Sequence, residues 1–318
     1  MGDPDGTSVN LGKRQKTVCT AKTDKKMNVY IWDMDETLIL LKSLLNRTYA
    51  ESFNGLKDVH KGMEIGKEWE NYILQVCDEH FFYEQIEDHN NPSLDAFSWY
   101  DDGQDLSNYD FSNDSLTSPL DELSKKKLAY RHRVIAQKYL KGLQHIIDQR
   151  TMKSLDDLYK LTDTYTDSWL SAARALLEQC ARGDEQSQNI NILVTSGYLI
   201  PSLVKCMLFR LNDFIRPENV YSSWNVGKVQ CFKWIKERFN SPNMRFCTIG
   251  DGWEEIEAAQ AMRWPFVKID FKQGSHFHKF PGLTLTTLGH YIDVVYERDG
   301  DIENAKYNTN TSSSLSTP

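Results

Sequence analysis

The chain has no long apolar run, no closely paired cysteines and no dense cluster of lysine and arginine. Each absence removes a class of protein. No segment approaches the ~20 apolar residues that span a bilayer, so no membrane association is expected. The first residues, MGDPDGTSVNLGKRQKT, lack an apolar stretch and so do not read as a secretory signal; Gly6 stands where a myristoylation signal has Ser or Thr. The six cysteines are widely spread with no C-x-x-C pair, which predicts reduced thiols and an intracellular protein of the cytoplasm or nucleus. A formal net charge of -8 speaks against direct nucleic-acid binding, and Lys13, Arg14 and Lys16 read as part of a solvated tail. Several catalytic signatures are also missing. No cysteine is followed six positions later by arginine, and neither a GxxxxGK[ST] loop nor HExxH occurs.

What is present is a chain of 318 residues, 40% of them hydrophobic, enough for a substantial core. Residues 1–26 and 299–318 are polar and read as a disordered arm and tail. Val29-Tyr30-Ile31-Trp32 reads as a buried strand. Residues 46–183 are helical by period. Helices are expected over 68–82, along a stripe through Leu140, Leu143 and Ile147, and from an N-cap at Asp167 to a stop at Gly183; 98–119 reads as a long loop. From 189 onward strand and helix alternate: strands at 190–194, 220–222, 244–249 and 265–269, helices at 201–211, 228–239 and 254–262. This alternation predicts a Rossmann-like, three-layer α/β parallel sheet, its core formed by 27–45 with 184–298, and 46–183 inserted as an all-helical cap.

Polar residues follow each of the main predicted strands. They are Asp33, Asp35 and Thr37; Thr195-Ser196-Gly197; Gly227-Lys228; and Gly250-Asp251 with Glu255. Strand C-termini converge on one rim of such a sheet, so these points can meet. Together they suit phosphoryl transfer through an aspartyl intermediate. Asp33 is the expected nucleophile and Asp35 the acid and base. Mg²⁺ is expected on Asp33, Asp251 and the Asp35 main-chain carbonyl. Thr195, Ser196 and Lys228 are expected to hold phosphate. Glu255, one helical turn after Asp251, is expected to orient metal-bound waters, and Thr37 to support the site from behind the residues that touch metal and phosphate. Taken singly, each point has a plainer reading: a DxDxT tract is often a surface turn, and Lys228 alone reads as an exposed lysine of a first helical turn.

The same motifs resemble a known family. IWDMDETL at 31–38, GQDLS at 103–107, LVTS at 193–196 with LIP at 199–201, and IGDGWEE at 249–255 are similar to stretches of the Eyes absent family of haloacid-dehalogenase-like phosphatases. The resemblance covers about 28–297. It implies a haloacid-dehalogenase-like fold, Mg²⁺, hydrolysis of phosphotyrosine in proteins or peptides, and a transcription-factor partner. The short polar start is similar to plant members, whereas animal members carry a long transactivation region. Ser196-Gly197 and Trp253 depart from the family pattern, which bears on the pocket's shape and not on its chemistry. Two alternatives remain: a phosphatase of small metabolites or phosphoserine, and a transcriptional interaction module with vestigial catalysis.

Overall fold

Along β1 (Lys26–Trp32) the side chains alternate between two apolar clusters, Tyr30 and Trp32 on one face and Val29 and Ile31 on the other. Such a strand, buried on both faces, belongs inside a parallel sheet covered by helices. The computed structural model, which describes residues 26–182 and 187–297, has that sheet. It contains β1, β2 (Ser187–Thr195), β3 (Val220–Ser222), β4 (Met244–Gly250) and β5 (Phe266–Lys268), all parallel, in the order β3-β2-β1-β4-β5. Trp32 pairs with Leu193 on one side and with Ile249 on the other. The expected arm up to residue 25, the stop at Gly183 and the tail lie outside the described residues. Lys26, expected in the arm, opens β1.

Between β1 and β2 run α1 (Leu41–Leu45), α2 (Thr48–Glu51), α3 (Val59–His80), α4 (Tyr83–Ile86), α5 (Glu122–Lys141), α6 (Gln149–Tyr165) and α7 (Trp169–Arg182). After β2 come α8 (Leu199–Leu208), α9 (Lys228–Arg238), α10 (Trp253–Met262) and α11 over 285–297. Apolar residues of α3, α5, α6, α7, α8 and α11 join the cluster on the Trp32 face. Cys231, Phe232 and Ile235 of α9 and Ala258 of α10 join the other. The chain therefore winds outward on one face through β2 and β3, then crosses β1 and winds outward on the opposite face through β4 and β5. Its switch point lies between β1 and β4, the place where open α/β sheets bind ligands. Among the described residues no helix is long and apolar enough to cross a membrane.

Three local expectations are corrected. Asp167 is not an N-cap. It has φ +54°, and its carboxylate accepts from Lys57 Nζ at 2.6 Å, while Asp163 Oδ1 accepts the Ser171 N–H at 2.9 Å near the start of α7. The Leu140–Leu143–Ile147 stripe is not one helix, because α5 ends at Gly142, whose φ is +84°, leaving Leu140 exposed and Leu143 buried. The helix expected over 68–82 begins nine residues earlier, at Val59, where Asp58 Oδ1 accepts the N–H groups of His60 and Lys61. The expected loop is present as the irregular stretch 101–121. It is held by Arg131 of α5, which is wholly buried. The guanidinium donates to Asp114 Oδ2 at 3.0 Å and to the carbonyls of Asp114 and Phe111 at 2.8 and 3.1 Å.

Candidate active site

β1 ends at Trp32, and the chain at once folds into a tight turn. The Met34 carbonyl accepts N–H groups from Thr37, Leu38 and Ile39 at 3.3, 2.9 and 3.1 Å. Glu36 takes a left-handed φ of +62°, a conformation that costs a side-chain-bearing residue roughly 1 kcal/mol or more. The turn gives the two aspartates different surroundings. Asp33, 6% exposed, receives Thr37 Oγ1 on Oδ2 at 3.0 Å and Lys228 Nζ on Oδ1 at 2.6 Å. Asp35, closer to solvent, has both oxygens on Lys205 Nζ, at 2.8 and 2.9 Å. Burial raises the Asp33 carboxyl above its ordinary range, with the Lys228 cation pulling the other way.

Lys228 owes its position to the residue before it. Gly227 has φ +77°, which turns the chain into α9 and places the lysine indoors, 4% exposed. Its ammonium bridges Asp33 and Glu255. Glu255 is clasped by the turn after β4. Its Oε2 accepts the Gly252 N–H at 2.9 Å, and a Cβ at Gly250 would stand 2.6 Å from its Cγ. Between these glycines Asp251 faces the same cavity. Its carboxyl is pushed up to about 6, first by burial and then by the negative charge of Asp33. Thr195 is buried at the end of β2, its Oγ1 accepting the Gly197 N–H at 3.1 Å. Ser196 Oγ donates to Glu254 Oε2 at 2.6 Å.

Asp33, Asp35, Thr195, Ser196, Lys228, Asp251 and Glu255 all line one cavity of about 310 Å³ at the switch point. Thr37 reaches it through Asp33. Three further wall residues escaped the sequence reading: Glu36, Lys42 and Glu254. So did Lys205, whose signal was its place as the one charged residue of the largely apolar α8, LIPSLVKCML. Glu36 had no signal beyond its neighbours. Its Oε1 accepts the Ser43 N–H at 3.0 Å, its Oε2 is buried with no hydrogen-bond partner, and burial pushes the carboxyl up to about 7.

The donor chemistry suits a hard cation. Asp33 and Asp251 crowd negative charge into a largely desolvated wall, and both present oxygen ligands. Among the described residues no three His, Cys, Asp or Glu side chains enclose an ion by themselves. The expected set needs only these two carboxylates together with a main-chain carbonyl.

A doubly wound α/β sheet with carboxylates and a buried lysine at its switch point defines a Rossmann-like protein built to act on a ligand at that rim. The chain is 60% identical to Protein phosphatase EYA of Arabidopsis thaliana, over 91% of its own length and 97% of that protein's. It belongs to the Eyes absent family. It is 31% identical to human Protein phosphatase EYA3 over 83% of its length, spanning 48% of the human protein, and 32% identical to Drosophila melanogaster Protein phosphatase eya, spanning 33% of that one. No family model matches the chain. A haloacid dehalogenase-like hydrolase from Xanthomonas campestris overlays with a TM-score of 0.36 at 12% identity, covering 86% of this chain and 99% of its own. The fold assignment rests on this chain's own sheet order and the faces its helices cover.

Proposed function

We propose that the chain is a Mg²⁺-dependent protein tyrosine phosphatase that works through an aspartyl-phosphate. The observation that carries the reading is Asp33. It is a buried carboxylate at the switch point, fixed by Thr37 and Lys228, on a wall shared with Asp35 and Asp251. The relatives' name supports a phosphatase acting on phosphoproteins.

In this reading an Asp33 oxygen attacks the phosphorus, and the bond from phosphorus to the tyrosyl oxygen breaks. The leaving oxygen takes its proton from Asp35 in its protonated form. The structure holds Asp35 as a carboxylate with both oxygens on Lys205 Nζ, and the step returns it to that pairing. Water next gives a proton to Asp35 and attacks the phosphorus, which releases inorganic phosphate and restores Asp33. Thr195, Ser196 and Lys228 hold phosphoryl oxygens; for Lys228 this means sharing its ammonium with Asp33 and Glu255, and for Ser196 leaving Glu254. Asp33, Asp251 and the Asp35 carbonyl would hold Mg²⁺, which screens the negative charges of nucleophile and phosphate from each other. A cytoplasmic or nuclear location and a transcription-factor partner belong to the same proposal, the partner resting on the family resemblance alone.

The test is turnover of a phosphotyrosine peptide by purified protein. Asp33→Asn should lower kcat at least ~10³-fold with little change in melting temperature, and EDTA should silence the native chain. Retained turnover in the variant overturns the aspartyl mechanism, and full activity in EDTA overturns the metal requirement.

A further inference from the structure

We propose that Trp253 is the platform on which the aromatic ring of the substrate stacks, and that it gives the site its preference for aryl over alkyl phosphoesters. The inference rests on the phosphatase reading and goes further by assigning the selectivity to one side chain. Trp253 is 71% exposed. Tryptophan is usually mostly covered in a folded protein, and this one is bare. Two other tryptophans are more than half exposed among the described residues, Trp99 and Trp224. Trp224 rests edge-on against Tyr198 at 4.8 Å. Neither lines the cavity of Asp33, whereas Trp253 does. Among the described residues the Trp253 indole has no hydrogen bond and no ring partner.

Its main chain, by contrast, is firmly placed. Trp253 is the first residue of α10. On one side Gly252 donates its N–H to Glu255 at 2.9 Å, and on the other Glu254 receives Ser196 at 2.6 Å. The ring is therefore presented by a rigid turn, two residues after Asp251, and not by a loose loop. A phosphoryl group on Asp33 leaves the organic half of the ester to run along the cavity wall, part of which Trp253 forms. A phenyl ring gains ring-on-ring contact there and loses little freedom on binding. A seryl methylene offers the indole no such surface.

The experiment measures kcat/KM for phenyl phosphate and for phosphotyrosine and phosphoserine peptides of one sequence, with the native chain, Trp253→Ala and Trp253→Phe. Trp253→Ala should lower kcat/KM for both aryl esters about tenfold, mainly through KM, while the phosphoserine value changes less than about twofold. Trp253→Phe should restore most of the loss. An equal fall on all three substrates overturns the proposal, because it marks a structural role. An unchanged aryl-to-alkyl ratio also overturns it, as expected if the indole serves a protein contact instead. A native chain that hydrolyses none of the three overturns the phosphatase reading and this inference with it; the two preceding outcomes, with the native chain active, overturn the inference alone.

Discussion

Lys228 bears most of the electrostatic burden of the site. One buried ammonium faces two buried carboxylates, Asp33 and Glu255. Removing one partner of a buried ion pair leaves uncompensated charge in a poorly solvated place. Lys228→Met should therefore cost about 3–5 kcal/mol, read as a lowered urea midpoint at pH 7, in addition to lost turnover. A variant as stable as the native chain would show that Asp33 and Glu255 find other partners. Lys205 is the matching cation for Asp35 but lies nearer to solvent, so its pairing is worth less. The two aspartates of the motif are thus held by cations from different helices, α9 and α8. That division could not be read from D-M-D-E-T. Strand parity sends both carboxylates one way, and only the turn closed by the Met34 carbonyl separates them.

At the scale of elements, the strands were the legible part. Val29–Trp32 is an apolar run and 190–194 is one broken only by Asn191, and both sit within observed strands; 220–222 matches β3. Parallel strands buried on both faces carry that signal without tertiary help. The convergence of the candidate residues was legible for the same reason, since each motif follows a strand and the sheet brings strand ends together. The insertion was harder, because its boundaries depend on partners distant in sequence. Asp167 reads locally as a cap, yet Lys57 claims it. The loop at 101–121 reads as free and polar, yet Arg131 anchors it from within. Arg131→Met should release that loop at a cost of about 3–5 kcal/mol. Limited proteolysis under native conditions should then cut within 101–121 in the variant, where the native chain resists. Equal resistance in both would show that Asp114 and Phe111 are secured by other contacts.

For the whole molecule, the insertion and one face of the sheet share a single apolar cluster, so stability is a property of both together. A buried histidine within the insertion therefore reports on the fold. His132 Nδ1 lies 3.1 Å from the Leu94 carbonyl, and burial drags the imidazole down to about 4. Between that value and the ordinary 6.5, the unfolded chain binds a proton that the folded chain refuses. Stability should accordingly fall as pH drops from about 6.5 to 4, by at most roughly 3 kcal/mol from this group. Denaturant titrations at pH 7 and pH 4.5 should show the loss in the native chain and a smaller one in His132→Gln. An equal loss in both would place the acid sensitivity elsewhere.

The position of β1 at the middle of the sheet also has a consequence for synthesis. Trp32 is synthesised before its neighbours in the ladder, Leu193 and Ile249, which follow only after the whole helical insertion and, for the second, two further crossovers. The first strand therefore emerges as a greasy ribbon with both edges open and nothing to pair with. A nascent chain carries this strand without its ladder partners until Ile249 has been made, a late, long-range pairing of the kind that slows folding and exposes apolar edges.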